Sequence, residues 1–106
     1  MPKYLLRASY TAEGAKGLLK EGGTGRRGVV DQLVAAQGGT VEAFYYAFGD
    51  DDVYIIADLP DHASAAAISL TVSASGAVHT STTVLMTPEE VDAASQKSVD
   101  YRPPGA

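Results

Sequence analysis

Residues 40–58 read TVEAFYYAFGDDDVYIIAD, and this stretch decides the fold. The segment from Thr40 to Phe48 is rich in aromatic residues, and the segment from Asp52 to Asp58 has high β-propensity, so both predict strands. Between them, Gly49-Asp50-Asp51 is typical of a turn. Because this turn is tight, we expect the two strands to pair as an antiparallel hairpin.

The residues before the hairpin predict one strand and two helical pieces. Lys3 to Tyr10 alternates with period two and predicts the first strand. Thr11 is placed to cap a helix over residues 12–20, which we expect Gly22-Gly23-Thr24-Gly25 to break. A second helical piece, ended by Gly38-Gly39, is indicated by apolar residues at helical spacing: Val30, Leu33 and Val34.

The residues after the hairpin include one ambiguous segment. Ile68 to Ser75 alternates as a strand would, yet Ala63, Ala67, Leu70 and Ala74 form a helical stripe that ends before Gly76. A helix from Asp61 to Ser75 would complete a β-α-β-β-α-β unit, so we predict a helix. The fourth strand is then expected from Ala77 to Met86.

The C-terminal part has a strong helix start and a loose end. Thr87-Pro88-Glu89-Glu90 combines a cap, a proline at the first position and acids in the first turn. We therefore expect a short helix over residues 87–99 and a loose tail over residues 100–106. The chain of 106 residues is predicted to be one domain, with its core over residues 3–86.

Composition and charge exclude several classes of protein. Hydrophobic residues make up 45% and charged residues 20%, as in a soluble globular protein. The absence of cysteine excludes disulfides, thiol catalysis and cysteine-held metal. A net charge of −5 without a basic run argues against nucleic acid and anionic lipid as partners. No apolar stretch approaches the ~20 residues of a membrane span, and no signal-peptide core follows Met1, so a cytoplasmic location is expected.

Several short motifs, taken in order, resemble the GYD domain family, whose members are small proteins that mostly lack an assigned function. The motifs are Tyr10-Thr11 with Gly14, then Arg26, Gly38-Gly39, Tyr45 ahead of Gly49, Asp52, Pro60-Asp61 and residues 75–82, SGAVHTST. The resemblance runs from Tyr4 to about Met86. Two positions depart from the family pattern: Asp51 replaces the tyrosine of the family name, and His79 replaces a frequent arginine.

The resemblance implies an α+β, ferredoxin-like βαββαβ sandwich with an antiparallel four-stranded sheet, of the dimeric α+β barrel type. The residues agree, because two helices cover only one face of such a sheet. We call the other face the open face, and strand alternation assigns these residues to it: Leu5, Arg7, Ser9, Glu42, Phe44, Tyr46, Phe48, Asp52, Tyr54, Ile56, Asp58, His79, Ser81, Thr83 and Leu85. A face this aromatic predicts cover by a second copy, in a homodimer or a multiple of one, with a cavity between the copies.

The open face also holds the candidate site. His79 and Asp58 are the candidate catalytic residues, because an imidazole can exchange a proton and a carboxylate, Asp58 or Glu42, can orient it. The candidate ligand-binding residues combine a cation for a carboxylate or enolate with hydrogen-bond donors and flat aromatic walls: Arg7, Tyr46, Tyr54 and His79. The alternative interpretation is that these side chains only form ion pairs and hydrogen bonds across a dimer interface.

Other motifs give no independent site. Residues 23–28, GTGRRG, match a dinucleotide fingerprint, but a helix precedes them where a strand is needed. Asp50-Asp51-Asp52 lacks the pattern of a calcium loop and is interpreted as a turn. His62 is expected to be solvated, and Arg26 to anchor its helix to a carboxylate. No metal and no cofactor are predicted.

The sequence favours a protein that binds a small apolar or aromatic metabolite in a cavity on the open face, with a cofactor-free enzyme as one form of this function. The alternative is a non-catalytic assembly protein whose open face serves only oligomerisation. The expected partners are a second copy of the chain and a small-molecule ligand, with no nucleic acid and no membrane.

Overall fold

The fold is built on one antiparallel sheet of four strands. The computed structural model describes residues 1–106, and its strands are β1 (Lys3–Tyr10), β2 (Thr40–Tyr46), β3 (Val53–Asp58) and β4 (Val78–Leu85). Their order across the sheet is β2-β3-β1-β4, so the first and third strands are central. All three neighbouring pairs are antiparallel. The predicted ferredoxin-like α+β topology is therefore confirmed.

Four helices accompany the sheet: α1 (Ala12–Glu21), α2 (Gly23–Ala36), α3 (His62–Ala74) and α4 (Pro88–Ser95). Side-chain caps explain where three of them begin. The Thr11 hydroxyl accepts from the amide of Gly14, and the Asp61 carboxylate accepts from the amide of Ser64. At α4, Thr87 and Glu90 form a reciprocal capping box. The ambiguous segment after residue 67 is helical, as predicted.

The break between the first two helices is shorter than predicted. Only Gly22 leaves the helical conformation, with φ of 81°, and α2 already begins at Gly23. A positive φ is adopted readily by glycine and rarely by other residues. One residue is thus sufficient for the change of direction, and the glycines that follow it are part of the helix.

The core lies between the sheet and the helices. It consists of ten buried side chains: Tyr4, Leu6, Val34, Phe44, Val53, Ile55, Ala57, Leu59, Ala65 and Ile68. Tyr4 is 1% exposed, and its hydroxyl lies 2.6 Å from Nδ1 of His62, at the start of α3. His62 is exposed, as the sequence predicted, and its ring also satisfies the polar end of a buried tyrosine.

The C-terminal helix stands apart from this core. No residue of α4 is buried, and the apolar side chains of Met86, Val91, Val99 and Tyr101 are exposed. The molecule measures 56 × 33 × 22 Å. None of the four helices combines the length and the apolar character that crossing a bilayer requires.

One glycine allows α1 to contact the loop before β4. A Cβ built on Gly14 would overlap the carbonyl oxygen of Ala77, the same oxygen that accepts from the Thr11 amide at 3.0 Å. At Gly17, in the same helix, a built Cβ has no neighbour within 4 Å. The two glycines therefore differ in the space around them, although both lie in α1.

We predict opposite effects for alanine at these two positions. Gly14→Ala should lower the free energy of unfolding by ~1–3 kcal/mol, because it overpacks against backbone that cannot easily move. Gly17→Ala should raise it by up to about 1 kcal/mol, through the better helix propensity of alanine. Urea denaturation of both variants measures the difference. Equal effects of the two substitutions would contradict the close approach of Gly14 to the carbonyl oxygen of Ala77.

Candidate functional site

A bulge in β2 determines which of its side chains reach the open face. Val41 pairs with Ala57, but Ala43 pairs with Ile56, so Glu42 is the extra residue of the bulge. An extra residue reverses the alternation of everything that follows it. Phe44 consequently lies opposite Ile55 of the core, while Tyr45 lies opposite Tyr54.

The prediction that Phe44, Tyr46 and Phe48 share the open face is therefore wrong. Phe44 is 9% exposed and belongs to the core. The Tyr46 hydroxyl donates to the carbonyl oxygen of Gly23 at 3.0 Å, and its ring stacks on Phe48. Both contacts place Tyr46 on the helix-covered side, where it cannot line a ligand site on the open face.

Tyr45 occupies the open-face position that the sequence assigned to Tyr46. It is 71% exposed and lies opposite Tyr54, which in turn lies opposite Arg7. Strict alternation could not have found Tyr45, because the bulge is not visible in the residue pattern. Tyr45 was, however, one of the positions that carried the family resemblance, and that was the available signal.

One end of the open face carries a polar group centred on Arg7. The Arg7 guanidinium lies 3.5 Å from the carboxylate of Asp51 and donates to the Ser81 hydroxyl at 3.2 Å. Its Nε is buried and has no hydrogen-bond partner. The Ser9 hydroxyl donates to Asp51 at 3.1 Å, and His79 pairs with Ser9 across the β1–β4 ladder. The structure thus brings Arg7, Tyr54 and His79 to the same part of the open face.

A second polar group occupies the opposite end. The Lys3 ammonium lies 2.9 Å from Asp58 and 3.1 Å from Glu42. Its hydrogen bonds, first to Asp58 and then to Glu42, raise the pKa of Lys3. Charge on this end of the face is therefore paired within the chain.

Asp58 cannot orient His79 within one chain. Asp58 lies opposite Lys3 and His79 lies opposite Ser9, which places them near opposite ends of β1. At ~3.3 Å per strand residue, this separation is roughly 20 Å. A carboxylate at the His79 end is that of Asp51, which bonds to Ser9, the residue that pairs with His79.

The acidic loop between β2 and β3 is held by hydrogen bonds. Asp52 accepts from the backbone amide of Tyr10 at 2.8 Å, and Asp51 accepts from Ser9. The third strand begins at Val53, one residue later than predicted, and the Asp52 carboxylate attaches the loop to β1. The carboxylates of this loop therefore serve to attach it to the sheet.

Arg26 is not anchored to a carboxylate, which corrects another prediction. The chain has four salt bridges, and none includes Arg26. The guanidinium instead lies beside the hydroxyl groups of Tyr10 and Tyr46, and its charge lowers the pKa of each. Burial has the larger effect and raises the pKa of both tyrosines.

Comparison with known proteins gives one result. The family model for the GYD domain matches residues 4–95, which is nearly the whole chain. No curated protein and no solved structure matches the chain. The match extends the resemblance seen in the sequence, which ended at about Met86, into α4.

We predict that alkaline pH destabilises the protein through its buried tyrosines. Because burial raises the pKa of Tyr46 in the folded state, the stabilisation is complete below the ordinary tyrosine pKa of about 10 and is lost as pH rises through the folded value. In an absorbance titration at the phenolate band, the tyrosines of the folded protein should therefore ionise at higher pH than those of the protein unfolded in urea.

The variant Tyr46→Phe tests the assignment. It should remove amplitude from the high-pH part of the titration and reduce the loss of unfolding free energy above a pH of about 10. Tyr101→Phe, at a tyrosine that is 69% exposed, controls for the loss of one chromophore. If the high-pH part of the titration is unchanged in Tyr46→Phe, this would contradict the partial burial of the Tyr46 hydroxyl.

Proposed function

The chain belongs to the GYD domain family, and on that premise we propose that two copies associate through their open faces and hold a small apolar or aromatic ligand between them. The ligand site would lie at the Arg7 end of the face. In its enzymatic form, this function would need no cofactor and would use His79 to exchange a proton with the ligand.

The need for cover supports the association of two copies. Helices α1, α2 and α3 cover one side of the sheet, and the open face carries the exposed ring of Tyr45 beside half-buried apolar and aromatic side chains: Leu5, Tyr54, Ile56 and Leu85. Large exposed apolar patches mark interaction surfaces. The exposure of α4 supports the same conclusion, because an isolated helix of 8 residues is too short to be stable by itself. We infer that α4 and its exposed Val91 contact the second copy.

The single observation that carries the ligand-binding proposal is the geometry around Arg7. Its guanidinium is held in place by Asp51 and Ser81, yet Nε is buried without a partner. The Arg7 side chain as a whole is nevertheless 38% exposed, so the outer part of its guanidinium can reach a bound acceptor. A carboxylate, enolate or phenolate oxygen is such an acceptor, and Tyr54 beside it offers a flat wall.

A specific observation also favours the alternative, in which the open face serves only assembly. Lys3 is already paired with Asp58 and Glu42, and Arg7 with Asp51, all within one chain. A face whose charges are already paired can be buried against a second copy without leaving any of them uncompensated. The two functions differ in whether the Arg7 end stays open to a ligand.

We predict that the protein sediments at about twice its chain mass of 11.0 kDa at low micromolar concentration. Ile56→Asp should split the dimer, because it places an unpaired charge in the centre of the interface at a cost of several kcal/mol. The matched control is Leu70→Asp, on the outer side of α3, where the side chain is 72% exposed. A monomeric wild-type protein, or a dimer that survives Ile56→Asp, would contradict the proposal.

We predict that His79→Ala weakens ligand binding and leaves stability within ~1 kcal/mol of the wild type, as expected for an exposed residue that does not pack. A thermal-shift screen with phenolic and quinone compounds identifies a stabilising ligand, whose affinity is then compared between variants. The control is His62→Ala, which removes the other imidazole of the chain; it should lower stability, because the buried Tyr4 hydroxyl loses a partner, and leave ligand affinity unchanged.

The two functions give opposite patterns in this experiment. Weaker binding in His79→Ala, with the dimer intact, supports a ligand site on the open face. A weaker dimer without any ligand effect supports the assembly function. If no phenol or quinone stabilises the wild-type protein, the ligand proposal in this form fails, whatever the oligomeric state.

A further inference from the structure

A cavity lies on the other side of the sheet, beneath the helices. Its volume is about 60 Å³, and most of its lining is apolar. Side chains of α2 and α3 form its walls, and the central strands form its floor: Val30, Leu33, Ile68, Val72, Leu6 and Ile55. The cavity is therefore part of a single chain and does not depend on association of two copies.

Polar side chains line this cavity where it adjoins a second depression. Tyr10 and Arg26 line both the cavity and an adjoining groove of about 220 Å³ that runs along α1. Arg26 has no carboxylate within 4 Å, and the Tyr46 hydroxyl beside it is already bonded to Gly23. The guanidinium thus has no charged partner where the apolar cavity adjoins the groove, and the Tyr10 hydroxyl interacts only with Arg26 and Tyr46.

We propose that this cavity binds a short aliphatic monocarboxylate. The carboxylate would accept hydrogen bonds from Arg26 and Tyr10, and the hydrocarbon chain would enter the cavity between α2 and α3. A planar guanidinium matches a carboxylate in a bidentate pair, and such a pair is strongest where water is partly excluded. The site is distinct from the proposed ligand site on the open face, because it lies on the opposite side of the sheet.

Size and charge define the ligand class. The cavity is well below the ~150 Å³ that accommodates a benzene ring, so the buried part of the ligand is a short chain of roughly three carbons, as in butanoate. Glu13 and Glu21 line the adjoining groove, and a dianion such as phosphate would meet their repulsion with only one arginine to offset it. A monoanion with a short apolar tail fits both the size of the cavity and the negative charge of the groove.

Calorimetry with butanoate, hexanoate, benzoate and inorganic phosphate tests the proposal on the full chain. We expect butanoate to bind saturably, benzoate and phosphate to bind at least tenfold more weakly, and backbone amide shifts in NMR spectra to map to α2 and α3. Arg26→Gln should weaken butanoate binding at least tenfold, whereas Arg27→Gln, the adjacent arginine of the same helix, should change it less than twofold.

A second variant keeps the test independent of charge. Val72→Leu narrows the cavity, so it should weaken binding of hexanoate more than binding of butanoate. No saturable binding of butanoate, equal losses in Arg26→Gln and Arg27→Gln, or amide shifts confined to β1 and β4 would each overturn the proposal. The oligomeric state and the phenol screen report on the open face alone, so failure of either proposal can be told from failure of the other.

Discussion

The one extra residue in β2 determines the character of both faces of the sheet. Because the bulge at Glu42 reverses the alternation, Phe44 and Tyr46 turn toward the helices and Tyr45 turns away. Phe44 then completes the core, and Tyr46 reaches the carbonyl group of Gly23 at the start of α2. Without the bulge, the helix-covered side would lose two large aromatic side chains, and the neighbours of Arg26 would be different.

The sequence was sufficient for the topology because several independent signals agreed. The caps at Thr11, Asp61 and Thr87 each begin a helix where they were expected to. The segment after residue 67 shows why such agreement matters. Its local pattern was compatible with a strand or a helix, and the need to complete the β-α-β-β-α-β unit decided for the helix. Intrinsic preference is a weak guide when tertiary packing decides the outcome.

The candidate site was only partly predictable, for reasons that are physical. Arg7, Tyr54 and His79 lie on strands without a bulge, so alternation placed them correctly on the open face. Tyr46 was misplaced by a bulge that depends on pairing with β3. Asp58 was predicted to orient His79 because alternation indicates the face on which a residue lies but not its position along the strand. The lack of a carboxylate partner for Arg26 could not be predicted, because it depends on which side chains α1 and α2 bring together.

The position of β1 in the sheet has a consequence for how the chain is made. β1 is the first strand of the sheet to be synthesised, yet its partners on both sides are β3 and β4, the last two strands of the sheet. The hairpin of β2 and β3 can form early from neighbouring residues, whereas the β1–β4 ladder joins Lys3 to Leu85. Since non-local pairing is slow and domains are completed only when their distant segments meet, the nascent chain has to carry an exposed β1 edge until almost the whole domain has been synthesised.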